Sequence, residues 1–160
     1  MSIAVGDRIP DVALWRVTKE GFTSVPAREV LGTGKVVLFA VPGAFTPTCS
    51  DYHLPGFVLR ADELEAKGVD LVACVSVNDP FVMGAWRRDQ KVGDTVVLLA
   101  DGNGLFTKAM GLEMDGSAVG LGTRSQRYAA VIDDGIVTAL FVEPERGLTV
   151  SSAESVLATL

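Results

Sequence analysis

The feature that most constrains this chain is an apolar run that ends at a proline–glycine pair and is followed by a helix start. Residues 36–41 are apolar and mostly β-favouring, which is typical of a strand buried on both faces. Pro42-Gly43 ends that strand and begins a loop. Thr46 followed by Pro47 predicts a helix start, with Thr46 at the N-cap and Pro47 at the first helical position. A strand–loop–helix unit is therefore expected at the centre of the fold.

This unit places Cys49 at the third helical position, in the first turn. Unpaired backbone N–H groups and the positive end of the helix dipole lie there. Helix N-termini and nearby cations lower the pKa of cysteine thiols to between about 3.5 and 7.5, and the thiolate is the reactive form. The alternative is that Cys49 is a small buried apolar residue, as free cysteines often are. The helix-start position favours a reactive sulfur.

The composition predicts a single globular domain over residues 1–160. Hydrophobic residues make up 48% of the chain and charged residues 21%, an ordinary balance for one core. A net charge of −6 argues against nucleic acid or an anionic membrane as partner. No apolar run approaches the roughly 20 residues that span a bilayer. The first ten residues lack the basic and apolar regions of a signal peptide, so a cytoplasmic location is expected.

Cysteine and histidine usage limits the available chemistry. Cys49 and Cys74 are the only cysteines and do not form a Cys-x-x-Cys pair, so neither a disulfide framework nor a zinc ribbon is expected. Reduced thiols in a reducing compartment fit this pattern. His53 is the single histidine, which excludes a multi-histidine metal site. We expect it to be a hydrogen-bonded surface or semi-buried residue rather than a catalyst. No metal or cofactor is predicted.

Periodicity and turn signals predict an α/β fold with a mixed sheet and helices on both faces. Pro55-Gly56 is expected to interrupt or kink the helix that carries Cys49, which then resumes at Phe57. Ser151-x-x-Glu154 predicts a capping box for the last helix. The predicted strands are 12–17, 36–41, 69–77, 95–100, 127–132 and 136–142, with 21–26 as loop or edge; the other helices are predicted after Asp79, before Gly111 and over 152–160.

Several segments resemble one family. Residues 42–49, Pro-Gly-Ala-Phe-Thr-Pro-Thr-Cys, are similar to the active-site segment of the peroxiredoxins. Residues 53–57, His-Leu-Pro-Gly-Phe, resemble the type II or "five-like" branch, as do residues 72–79 and 127–129. The similarity extends over essentially the whole chain. It implies a thioredoxin-like fold and a thiol-dependent peroxidase that reduces hydrogen peroxide and alkyl hydroperoxides, with its cysteine cycling through a sulfenic acid.

The resemblance also implies a catalytic set, which is Pro42, Thr46, Cys49 and Arg127, with the proline shielding the thiolate from water. Taken alone, Thr46 would be only an N-cap and Arg127 a solvated charge before a strand. Three further loop residues are predicted to contact substrate, and a second arginine is predicted to orient carboxylates nearby. These are Gly43, Phe45 and Thr48, and Arg124.

Turnover is predicted to follow a one-cysteine cycle. Some related proteins have a resolving cysteine near a Gly-Leu-Thr segment, but residues 147–150 here are Gly-Leu-Thr-Val. Cys74 lies within a predicted buried strand, where a thiol is usually inert. A disulfide needs Cα atoms within about 7 Å, so a Cys49–Cys74 bond is expected to require local unfolding. Glutathione, glutaredoxin or thioredoxin would then be the reductant. Residues 79–81 and the active-site loop resemble parts of a homodimer contact.

Two other functions compete with this prediction. A disulfide oxidoreductase on the same fold would carry a Cys-x-x-Cys motif, which is absent. In a peroxide-sensing redox switch, peroxide would oxidise Cys49, but the protein would not go through many turnovers. Counting equivalents of peroxide consumed distinguishes such a switch from an enzyme.

Overall fold

A computed structural model describes residues 1–160 and has a central seven-stranded mixed sheet. Its strand order is β2-β1-β5-β4-β3-β8-β9, and β6 and β7 form a separate small hairpin. The strands are β1 (Ala13–Thr18), β2 (Gly21–Pro26), β3 (Lys35–Val41), β4 (Leu71–Ser76), β5 (Val97–Ala100), β6 (Glu113–Asp115), β7 (Thr123–Ser125), β8 (Tyr128–Asp133) and β9 (Ile136–Val142).

Helices cover both faces of the sheet. They are α1 (Ala27–Leu31), α2 (Leu54–Leu59), α3 (Ala61–Ala66), α4 (Pro80–Asp89), α5 (Leu105–Met110) and α6 (Ala153–Leu157), with a π-helical turn at Cys49–His53 and a 3₁₀ turn at Ser117–Val119. None of these helices combines the length and apolar character needed to traverse a lipid bilayer.

The central strands are parallel and buried, as the apolar runs predict. β3, β4 and β5 run parallel, whereas β8 is antiparallel to β3. Successive β3 residues alternate between two apolar layers. Val37, Phe39 and Val41 join the layer that holds α2, α3, α4 and α6. The other layer contains α1 and α5. This arrangement confirms the predicted α/β thioredoxin-like fold with a mixed sheet.

The strand directions bring the candidate site residues to one edge of the sheet. Since β8 is antiparallel to β3, its first residue Tyr128 pairs with Ala40 near the end of β3. Arg127 therefore lies beside the loop that follows β3. β9 returns antiparallel to β8, so Val142 pairs with Tyr128 and Glu143 follows at the same edge.

Local signals predict several boundaries correctly. Asp79 caps α4 by accepting a hydrogen bond from the Val82 N–H at 2.8 Å. The β8–β9 hairpin turns at Asp134 and Gly135, both with positive φ, which suits a tight two-residue connection. The predicted capping box is wrong, because Ser152 is the N-cap of α6 and accepts from the Ser155 N–H. Helix α1 and the β6–β7 hairpin were not predicted, since both are short.

Candidate active site

The helix that carries Cys49 begins as predicted. The Thr46 carbonyl accepts a hydrogen bond from the Ser50 N–H at 2.9 Å, and helical structure begins at Pro47. Cys49 therefore occupies the third helical position, with its side chain fully buried. Trp86 of α4 donates its indole N–H to the Ser50 hydroxyl at 3.0 Å, which ties this first turn to the neighbouring helix.

The helix is not interrupted at Pro55-Gly56; it widens into a π turn just before the proline. The Leu54 N–H reaches back five residues to the Cys49 carbonyl. Proline has no N–H to donate and its ring clashes with the carbonyl four residues earlier, so an enlarged turn relieves both problems. The actual break comes at Arg60, between α2 and α3. The π turn directs Cys49 and His53 into the core, whereas Asp51 and Tyr52 stay exposed.

Arg127 connects the sulfur and the histidine. Its Nη2 donates to Cys49 Sγ at 3.1 Å, and its Nη1 lies 2.8 Å from His53 Nδ1. The arginine is buried, with 9% of its surface exposed. A guanidinium is a rigid planar fork with five N–H donors, so one side chain can serve two neighbouring acceptors. The cation is therefore fixed against the sulfur.

The surroundings of His53 determine its tautomer. Its Nε2 lies 2.9 Å from the Ser151 carbonyl, which can only accept, so Nε2 carries the proton. Nδ1 is then free to accept from Arg127. Burial and the adjacent Arg127 charge lower the pKa of His53 to about 3, so the ring is neutral at physiological pH. The prediction of a surface or semi-buried histidine is wrong, because His53 is 1% exposed and touches the arginine.

Glu143 anchors the C-terminal segment of the site. Its carboxylate accepts hydrogen bonds from the backbone N–H groups of Thr149, Val150 and Ser151, and from the hydroxyls of Thr149 and Ser151. Burial of the carboxyl group opposes ionisation, but the hydrogen bonds from Ser151 and Thr149 outweigh it and lower the pKa of Glu143 to about 2. The Glu143 N–H donates to the Arg127 carbonyl at 3.0 Å. Sequence patterns did not identify Glu143; a carboxylate followed by closely spaced hydroxyl residues is the only local signal.

The loop after β3 is held by hydrogen bonds to backbone carbonyls. The Thr46 hydroxyl donates to the Gly43 carbonyl at 2.7 Å, so it does not cap the helix as expected. Arg124 donates to the carbonyls of Pro42 at 3.3 Å and Leu121 at 2.9 Å. The prediction that Arg124 orients carboxylates is therefore wrong. The guanidinium closes over Gly43, where an added Cβ would lie 2.8 Å from Nη1.

The predicted substrate-contact residues differ in exposure. Gly43 is buried and supplies the carbonyl for Thr46, whereas Thr48 is half-buried. Phe45 is 50% exposed and has a left-handed φ of 65°, an uncommon conformation for an aromatic residue. The adjacent Ala44 N–H donates to Asn78 Oδ1 at 3.0 Å, which ties the loop to the end of β4.

Cys74 lies in an apolar environment within the sheet. It lies within β4, pairs with Phe39 of β3 and Leu98 of β5, and is fully buried. Burial, followed by the neighbouring Cys49, raises the pKa of the Cys74 thiol. No polar side chain donates to its sulfur. No cluster of three or more histidine, cysteine or acidic side chains could hold a metal ion.

Comparisons with known proteins agree with this fold and geometry. A model of the Redoxin family matches residues 4–157. Peroxiredoxin-2E, a chloroplastic protein of Arabidopsis thaliana, is 50% identical over 99% of this chain and 70% of its own length. Peroxiredoxin-2C of rice is 48% identical over 99% of this chain and 98% of its own. Reduced Prx3 of Vibrio vulnificus in complex with hydrogen peroxide superposes with a TM-score of 0.93 and 55% identity, covering 98% of each chain.

The chain belongs to the Redoxin family and, within it, to the peroxiredoxins. This confirms the resemblance found in the active-site segment and the type II branch. The protein is accordingly a thiol-dependent peroxidase.

Proposed function

We propose that Cys49 is the peroxidatic residue of this peroxidase. The observation that carries this proposal is the Arg127 Nη2 donor 3.1 Å from the sulfur of a buried cysteine in the first turn of a helix. The guanidinium places a positively charged donor against the sulfur, and the thiolate is the form of cysteine that attacks. The thiolate attacks one oxygen of a hydroperoxide, the O–O bond breaks as the S–O bond forms, and the second oxygen leaves as hydroxide or alkoxide and takes up a proton. Cys49 becomes a sulfenic acid.

Thr46 and Arg127 are proposed to align the peroxide. The Thr46 hydroxyl donates its hydrogen bond to the Gly43 carbonyl. The lone pairs of the hydroxyl oxygen are then available to accept a hydrogen bond from the peroxide O–H. Arg127 supplies donors where negative charge develops on the oxygens. Pro42 is half-buried in the same loop, immediately before Gly43, and would keep water from the thiolate. Gly43, Phe45 and Thr48 belong to the same loop and would line the entry for hydrogen peroxide or an alkyl hydroperoxide.

A one-cysteine cycle with an external reductant is proposed for turnover. Val150 stands in the Gly-Leu-Thr segment where a resolving cysteine would be needed. Cys74 is packed inside β4 and has no polar donor. A small thiol such as glutathione, or a glutaredoxin or thioredoxin, would then attack the Cys49 sulfenic acid. The mixed disulfide is resolved by a second thiol, which restores Cys49.

A homodimer is also proposed. Phe22 and Phe81 form an edge-to-face pair at 5.2 Å between ring centroids, yet Phe81 is 73% exposed. Phe45 of the active-site loop is exposed as well. Exposed aromatic residues of this kind suit an interface between copies of the chain. Sedimentation that shows only monomer at high concentration would remove this part of the proposal.

The expected compartment is the cytoplasm. Both thiols are free and the chain contains no further cysteine, which suits a reducing environment. The redox state of the two cysteines, measured by trapping thiols in intact cells, tests the choice of compartment.

The decisive experiment measures peroxide consumption by wild type, Cys49→Ser and Cys74→Ser. Glutathione, glutaredoxin and thioredoxin are supplied separately, and the equivalents of peroxide consumed are counted. We expect Cys49→Ser to abolish turnover and Cys74→Ser to retain it over many equivalents. Full activity in Cys49→Ser would overturn the assignment of the site. Loss of activity in folded Cys74→Ser would indicate an intramolecular disulfide instead of a one-cysteine cycle, and consumption that stops near one equivalent would indicate a redox switch.

A further inference from the structure

We propose that His53 and Glu143 are positioning residues that hold the Arg127 guanidinium on the sulfur of Cys49. The proposal rests on the function assigned to Arg127 above and extends it to two residues that do not touch the sulfur. The link between them is the backbone of Ser151.

The first step concerns the guanidinium itself. Arg127 has one arm on Cys49 Sγ and the other on His53 Nδ1, at 3.1 Å and 2.8 Å. Since the fork is planar and rigid, fixing Nη1 also fixes the direction of Nη2. A free arginine side chain has many rotamers and would leave the sulfur for part of the time. The contact with His53 therefore restricts the Arg127 side chain more than the contact with the Cys49 sulfur alone would.

The second step concerns the orientation of the imidazole. Its ring lies against Phe39, with centroids 4.8 Å apart, and against Phe57, with centroids 5.6 Å apart. Both contacts are tilted, at 48° and 50° between the ring planes, and they do not decide which nitrogen faces the arginine. The Ser151 carbonyl decides this, because it requires a proton on Nε2 at 2.9 Å. Nδ1 must then accept from Arg127.

The third step concerns the position of Ser151. Its N–H and its hydroxyl both donate to Glu143, so the carbonyl that meets His53 depends on this carboxylate. The Glu143 N–H in turn donates to the Arg127 carbonyl. The chain of contacts therefore closes on itself, from Arg127 through His53, Ser151 and Glu143 back to the backbone of Arg127.

Charge gives the arrangement a chemical purpose. Glu143 forms no salt bridge with Arg127, because its oxygens are occupied by donors from Thr149, Val150 and Ser151. The partner that orients the guanidinium is a neutral imidazole. A carboxylate in that place would compete with the thiolate for the same positive charge. The site thus keeps the arginine oriented while its charge stays directed at the sulfur.

The test uses four variants of the full chain. His53→Gln keeps a donor for Ser151 but removes the acceptor at the Nδ1 position, and His53→Asn keeps that acceptor. Glu143→Gln removes the negative charge that accepts hydrogen bonds from residues 149–151. Glu145→Gln is the matched control, since Glu145 is exposed, two residues away, and has no hydrogen-bond partner.

We expect the kcat/KM for hydrogen peroxide to fall by roughly 10- to 100-fold in His53→Gln, the range that a misplacement of about 1 Å produces. Glu143→Gln should lose less, His53→Asn should recover part of the loss, and Glu145→Gln should match wild type. The kcat/KM for the reducing thiol should stay within about twofold in every variant. Near-UV circular dichroism and the unfolding midpoint report whether each variant is folded.

A double-mutant cycle separates positioning from a merely structural role. If His53 acts through Arg127, adding His53→Gln to Arg127→Gln produces no further loss. Equal and independent losses in both backgrounds, or wild-type rates in folded His53→Gln and Glu143→Gln, would overturn the proposal. Should Arg127→Gln itself react with peroxide at the wild-type rate, the proposed role of Arg127 fails, and the positioning proposal fails with it.

Discussion

The two cysteines share one apolar layer but not one environment. Cys49 and Cys74 are both fully buried and belong to the same core cluster. Cys74 lies inside a strand that pairs with β3 on one side and β5 on the other, and burial raises the pKa of its thiol. Cys49 lies at the start of a helix and receives a hydrogen bond from Arg127. Burial is therefore the same for both sulfurs, and the donor that Arg127 brings to Cys49 is what distinguishes them.

The largest expected effect comes from removing the donor that distinguishes the two sulfurs. Arg127→Gln makes the surroundings of Cys49 resemble those of Cys74. We expect the kcat/KM for hydrogen peroxide to fall about 100- to 1000-fold, as for the loss of one preorganised donor. Stopped-flow measurement of peroxide consumption checks this. Arg124→Gln is the comparison, because Arg124 donates only to carbonyls and should lose far less.

Glu143 should make the free energy of unfolding depend on pH in the acid range. Its folded pKa is about 2, against 4.5 for an ordinary glutamate, so its contribution is complete above about pH 5 and is lost as pH falls through 4.5 towards 2. The shift corresponds to about 3 kcal/mol. Urea unfolding at pH 7, 4 and 3 should show Glu143→Gln much less stable than wild type at pH 7, with the gap closing in acid. A constant gap would contradict this.

His53 should also make the free energy of unfolding depend on pH, in a less acidic range. The folded ring is neutral with a pKa of about 3, whereas the unfolded ring gains a proton near pH 6.5. Acidification therefore favours the unfolded state between pH 6.5 and 3, and about 2 kcal/mol should be lost between pH 7 and pH 5. His53→Asn should lack this loss. Glu143 is present in both proteins and is largely ionised in both states between pH 7 and pH 5, so the difference between the two proteins over this range reports His53 alone.

The smallest effect is expected at the other sulfur. Cys74→Ala leaves a small cavity in β4 and should lower the free energy of unfolding by about 1 kcal/mol. The reaction of Cys49 with peroxide should be unchanged, because Cys74 contributes no donor to the site. A large kinetic loss in this folded variant would show that the two thiols cooperate.

Much of the fold follows from local sequence patterns, because they act within one element. The apolar run of β3, the Thr46-Pro47 helix start and the Asp79 cap each depend on neighbours within a few residues. The wrong predictions also rest on local patterns, which leave out contacts with residues outside the element. Pro55-Gly56 predicts an interruption or kink, but the chain accommodates the proline by a π turn at Cys49–His53 that continues directly into α2. Ser151 was expected to cap α6, but its hydroxyl is bound by Glu143 eight residues away.

The sequence by itself determined the buried strand, the loop and the helix start that present Cys49, because hydrophobic periodicity and the preference of proline for the first helical position are local. Only the tertiary structure decided which groups surround the sulfur. Arg127 lies 78 residues from Cys49 and His53 lies 98 residues from Ser151. The antiparallel return of β8 and β9 brings these residues together. Their hydrogen bonds depend on distances that are set only when the sheet has assembled.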